Sequence, residues 1–101
     1  MISDVIEKNQ KYYVLDSNGK TISSDYVSTL GEFLGVTGFF LVFSRNQKYY
    51  VYDEDLKKIA DDYESNLGRF RNTIGRTITF RKNGQIYTYD SHLKKISQRY
   101  E

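Results

Sequence analysis

At 101 residues the chain has room for one domain with a modest core. It contains no cysteine, which excludes disulfides and thiolate metal sites, and its formal charge of +2 is too small to name a partner by itself. The longest unbroken apolar run, residues 39–43, falls far short of the roughly 18 residues of a membrane span. The N-terminus lacks the basic-then-apolar layout of a signal peptide, so a cytoplasmic protein without a membrane partner is expected.

The chain is built on a repeat. Residues 9–26 recur 37 positions later at 46–63 and again at 83–100, with no gap. The first two copies agree at 11 of 18 positions and the last two at 9 of 18, which marks one supersecondary unit used three times. Counting by repeat phase divides a single domain into modules 1–27, 38–64 and 75–101, joined by connectors 28–37 and 65–74. Both termini fall on module boundaries, so the chain reads as complete.

Each module predicts three strands. In the third, Thr77 to Arg81 alternates, Asn83-Gly84 follows, and Gln85 to Tyr89 alternates again. Asn-Gly between two such runs signals a hairpin, because a type I′ turn needs positive φ at both central residues. The first two modules keep Asn9 and Asn46 but follow them with Gln10 and Gln47, which predicts looser turns. A second turn follows Asp16, Asp53 and Asp90, whose carboxylates can accept bonds from turn N–H groups. Two residues on, Asn18, Asp55 and His92 are expected to take the left-handed conformation, allowing Gly19 to become Leu56 and Leu93. The third strand carries Ile22, Ile59 or Ile96 and ends on Tyr26, Tyr63 or Tyr100.

A two-residue turn at 46–47 sets Phe43 opposite Tyr50 and Leu41 opposite Tyr52, with Val42, Tyr49 and Val51 pointing the other way. Both faces of the middle hairpin are therefore apolar and need neighbours. The first strands of the outer modules are more polar than residues 39–43, which places the second module in the middle and leaves the outer two half exposed. Each connector has length enough for a fourth short strand or one helical turn.

A meander on this period resembles a β-propeller blade, although the chain has neither Trp nor a WD dipeptide. The resemblance implies blades packed on both faces and a closed ring of about four to eight, so two chains would supply six. The fold class expected is all-β: three tandem three-stranded antiparallel meanders in a propeller-blade-like stack. The alternative is a compact pseudo-threefold β domain with three equivalent environments.

Charge is distributed unevenly. Residues 1–44 hold three Lys against five acids, residues 45–101 hold twelve Lys or Arg against eight, and no acid occurs between Ser65 and Tyr89. That window offers Arg69, Arg71, Arg76, Arg81 and Lys82 as a candidate partner-binding surface. The lone His92 sits in a turn and reads as a backbone element, since no further ligands are spaced for a metal. The cluster Asp53-Glu54-Asp55 lacks the Gly and distal Glu of an EF-hand. No nucleophile motif, zincin motif, phosphate loop or dinucleotide fingerprint is present, so no enzyme activity and no cofactor are expected. The recurrent tyrosines serve packing or, alternatively, aromatic platforms for sugars or bases. The expected function is a non-catalytic binding or assembly module that self-associates through stacked sheets, most simply as a homodimer. Protein and glycan (lectin-like) partners come next, with weak nucleic-acid or anion binding by residues 69–82 behind them.

Overall fold

Eleven strands and two single-turn helices form along the chain, and the computed structural model describes all of residues 1–101. The first sheet contains β1 (Asp4–Lys8), β2 (Lys11–Leu15) and β3 (Thr21–Tyr26) in the order β1-β2-β3. A helical turn, α1 (Val27–Leu30), leads to the second sheet, made of β4 (Glu32–Val36), β5 (Leu41–Arg45), β6 (Lys48–Tyr52) and β7 (Lys58–Tyr63). A second turn, α2 (Glu64–Leu67), leads to the third, made of β8 (Arg69–Ile74), β9 (Thr77–Lys82), β10 (Gln85–Tyr89) and β11 (Lys95–Tyr100). All pairings are antiparallel between neighbours in sequence. The all-β meander expected from the repeat is what forms. Each connector does both of the things open to it: one helical turn, then a strand that joins the following module.

The sheets lie in a row. Two apolar clusters separate them, and they have no residue in common. The first cluster, between sheets one and two, contains Tyr12, Val14, Leu30, Leu41, Phe43, Tyr50 and Tyr52. The second, between sheets two and three, contains Phe40, Val42, Tyr49, Val51, Leu67, Ile78 and Phe80. The middle sheet thus has a rear face (Leu41, Phe43, Tyr50, Tyr52) packed on sheet one and a forward face (Val42, Tyr49, Val51) packed on sheet three. Its register pairs Leu41 with Tyr52 and Phe43 with Tyr50, as the two-residue turn requires. A stack elongated to 40 × 26 × 19 Å, with one two-sided sheet between two one-sided ones, takes the place of the pseudo-threefold alternative and its three equivalent environments.

Three local expectations are corrected. The hairpin turns at Asn9-Gln10 and Asn46-Gln47 are as tight as Asn83-Gly84: φ is 53° and 64°, 52° and 64°, and 53° and 75°. Both glutamines are held left-handed by strands already in register on either side. In the second turn the left-handed residue is Gly19, Leu56 or Leu93 (φ 77°, 58°, 59°), not Asn18, Asp55 or His92. The Asp carboxylate explains this shift. Oδ1 of Asp16, Asp53 and Asp90 accepts bonds from the N–H groups two and four residues on, at 2.9 and 3.0 Å, which ties down the earlier position. A leucine bears the strain because Leu56 packs on the first cluster and Leu93 on the second, whereas Gly19 has nothing nearby to pack against. Finally, Phe39 lies outside the strand. β5 begins at Leu41, and Phe39 is partly exposed beneath the guanidinium of Arg76, 3.8 Å from its ring centroid.

Candidate binding face on the third sheet

The connectors show how one sheet is joined to the next. Leu30 and Leu67 are buried, and the glycines after them, Gly31 and Gly68, take φ of 94° and 96°. A Cβ there would lie 2.3 Å from the Ser44 carbonyl oxygen and 2.5 Å from that of Arg81, so only glycine fits. The Tyr12 hydroxyl donates to the Gly31 carbonyl at 2.9 Å, and the Tyr49 hydroxyl donates to that of Gly68 at 2.8 Å. Tyr49 also accepts from the Phe70 N–H at 3.1 Å. Burial raises the pKa of both phenols, more than the bonds they accept from the backbone lower it.

These tyrosines stand at the centre of one cross-strand row on the forward face of each sheet. In sheet one the row is Glu7–Tyr12–Asp25, and in sheet two it is Glu32–Ser44–Tyr49–Asp62. In sheet three the same row reads Arg69–Arg81–Ile86–Arg99. Phe70, Phe80 and Tyr89 pack toward the second cluster, so alternation turns this row outward. The row beside it, Asn72–Thr79–Thr88–Ser97, is polar throughout. Arg71, at a bulge, donates to the Thr79 hydroxyl at 3.3 Å and so belongs to the same face. Ile86 is only 5% exposed although it belongs to neither cluster. Its row neighbours are Arg81 and Arg99, and arginine stems cover apolar area while their heads stay wet.

Three of the five basic residues expected to form a surface, Arg69, Arg71 and Arg81, are therefore brought together. The other two are employed elsewhere. Lys82 donates from Nζ to the Asn66 carbonyl at 3.1 Å, holding the end of α2, and Arg45 does the same for Thr29 at α1. Arg76 is stacked on Phe39 at the other end of the sheet. The fourth guanidinium of the face, Arg99, lies outside the acid-free window; comparing Asp25, Asp62 and Arg99 across the repeat exposes it. The single carboxylate in contact with the row is that of Glu101, which pairs with Arg81 Nε at 2.6 Å.

Elsewhere the structure offers little chemistry. No three His, Asp or Glu side chains gather as a metal site, and no helix is long and apolar enough to cross a membrane. Glu54 of the acidic cluster meets the N-terminal amine at 3.0 Å, and the His92 N–H is bonded to Asp90. A surface groove of about 480 Å³ lies along Gln47, Tyr63, Glu64, Gly68 and Arg69 and has only Tyr63 as an apolar wall. No family model, curated protein or solved structure matches the chain.

Proposed function

We propose that the protein is a non-catalytic binding module that holds an acidic protein partner against the open face of its third sheet. The observation that carries this reading is the reversal of sign in one row: Glu7 and Asp25 flank Tyr12, and Glu32 and Asp62 end the row of Ser44 and Tyr49, while Arg81 and Arg99 flank Ile86 with Arg69 next to Arg81. Like charges directly opposed across strands destabilise a sheet, so Arg69 opposite Arg81 costs stability unless an anion sits between them. Arginine suits carboxylates because its planar fork can donate two parallel bonds. Glu101 already places one carboxylate oxygen on Arg81, 2.6 Å from Nε. Sugars and bases are less well served, because Ile86, Thr79, Thr88 and Ser97 give the face no aromatic platform.

The test is fluorescence anisotropy of a glutamate-rich peptide at rising salt. Binding should weaken steeply with ionic strength, and Arg69→Glu with Arg99→Glu should reduce affinity at least about tenfold, or roughly 1.4 kcal/mol. No binding at low salt, or equal binding by the variant, sinks the reading. An oligonucleotide binding more tightly than the peptide would transfer the face to nucleic acid.

Self-association is the second reading, favoured by Ile6 and Ile96, exposed on the two open faces. Head-to-tail stacking would set the arginine row against Lys8 and Lys11, which pair with each other on the rear of sheet one. Any such dimer is expected to strengthen as salt rises, opposite in sign to binding of the acidic partner. Sedimentation across ionic strength separates the two.

A further inference from the structure

We infer that the first sheet is an acceptor for an extended segment of the pattern Leu-Gly-x-Phe, contributed by a separate polypeptide and added beside β1 as a fourth strand. The molecule shows this arrangement twice within itself. β4 pairs with β5 and β8 with β9, and both donors carry the pattern, as Leu30-Gly31-Glu32-Phe33 and Leu67-Gly68-Arg69-Phe70. β1, the equivalent of β5 and β9, pairs with β2 alone, which leaves its outer edge without a ladder. Main-chain bonds along such an edge, with pockets for alternate side chains, are how strand addition obtains affinity and specificity.

The contacts that a donor makes in sheets two and three have vacant counterparts in sheet one. Phe33 packs 5.6 Å from Phe43 and Phe70 packs 6.1 Å from Phe80, ring to ring. Both acceptor phenylalanines are completely buried, yet Ile6 at the same repeat position is 40% exposed. Ile6 lines a groove of about 300 Å³ with Tyr13, Leu15, Gly19 and Lys8. Where Gly19 leaves open space, Leu56 and Leu93 reach into the clusters that the preceding sheets help to form. Arg45 and Lys82 each donate to the carbonyl preceding the donor's leucine, whereas Lys8, their counterpart, has no hydrogen-bond or ion-pair partner. Asp4, Glu7 and Lys8 discourage indiscriminate pairing at this edge, so an incoming strand must bring matching side chains.

The chain supplies its own probe: a synthetic peptide of residues 28–37, titrated onto the isotope-labelled full chain and followed by backbone amide shifts. Saturable changes confined to β1, Tyr13 and Leu15 are expected. Phe33→Ala in the peptide should weaken binding at least about tenfold, and Ile6→Glu in the chain should abolish it while leaving the unfolding midpoint in place. The proposal is overturned if no saturation is reached at millimolar peptide, if the alanine peptide binds equally well, or if the changes fall on β5, which would mean exchange with β4. It is also overturned if the chain alone forms a dimer that Ile6→Glu dissolves, since a second copy would then be the occupant.

Discussion

The second and third sheets share a ladder, a turn at each end and a connector strand, yet one row of their forward faces carries opposite charge. In the second sheet, Glu32, Ser44, Tyr49 and Asp62 look toward a neighbour, and Tyr49 is bonded to that neighbour's connector. In the third, Arg69, Arg81, Ile86 and Arg99 look outward. Rear faces are constrained differently: Phe43 and Phe80 are both completely buried, so packing dictates them. The contrast teaches that this row changes sign where no further sheet lies above it.

The largest effect should come from breaking an inner boundary and comparing it with an open end. Phe43→Ala removes a ring that meets Tyr12, Phe33 and Tyr52 edge-on at 5.1, 5.6 and 5.7 Å. Denaturant unfolding should show a loss of about 3–5 kcal/mol. Ile6→Ala, at the same repeat position on the open rear face, should cost less than about 1 kcal/mol. Equal losses would mean that the two positions are buried alike.

Next comes the connector. Gly68→Ala forces a Cβ against the Arg81 carbonyl at a positive φ and should cost about 2 kcal/mol or more, whereas Gly75→Ala, with open space around it, meets no such wall. Thermal unfolding of the pair measures the difference. Tyr49→Phe follows, because it leaves the Gly68 carbonyl and Phe70 N–H without their partner; a loss of about 1–3 kcal/mol is expected by the same measurement. Tyr87→Phe, whose hydroxyl makes no protein hydrogen bond, is the control, expected within about 0.5 kcal/mol of the parent.

The phenols also set a pH limit. Burial raises the pKa of Tyr12, Tyr49, Tyr52 and Tyr89, so above pH about 10 the unfolded chain ionises these phenols while the folded one resists. Stability is therefore complete below that point and falls as pH rises through the shifted values. Circular dichroism across this range should show unfolding, and Tyr49→Phe should make the alkaline decline shallower. The smallest effect concerns the turns. Gln47→Gly relieves a left-handed glutamine at φ 64° and should stabilise by about 0.5–1 kcal/mol, while Gly84→Gln at φ 75° should destabilise by a similar amount.

Much of the second sheet was legible in residues alone. A two-residue turn after an Asn leaves one register, and a period of two then assigns Leu41, Phe43, Tyr50 and Tyr52 to one face. The Asp-capped turn was legible for the same local reason, but its left-handed residue was not. A Leu at positive φ is intrinsically poor, and only packing of Leu56 and Leu93 on sheets distant in sequence makes it tolerable. The candidate face was half legible. Arg69, Arg71 and Arg81 stood out in an acid-free run, while Arg99 needed the ladder and Lys82 and Arg76 were occupied by contacts that no spacing reveals.

What the amino-acid sequence determined by itself was the repeating unit: strands, turns and register, all set by bonds and alternation within a few residues. The tertiary structure decided which of each sheet's two faces would be covered, and so which charged row would be left free. Near-identical repeats fold alike locally, but burial depends on what lies alongside, and the first, second and third sheets have different neighbours.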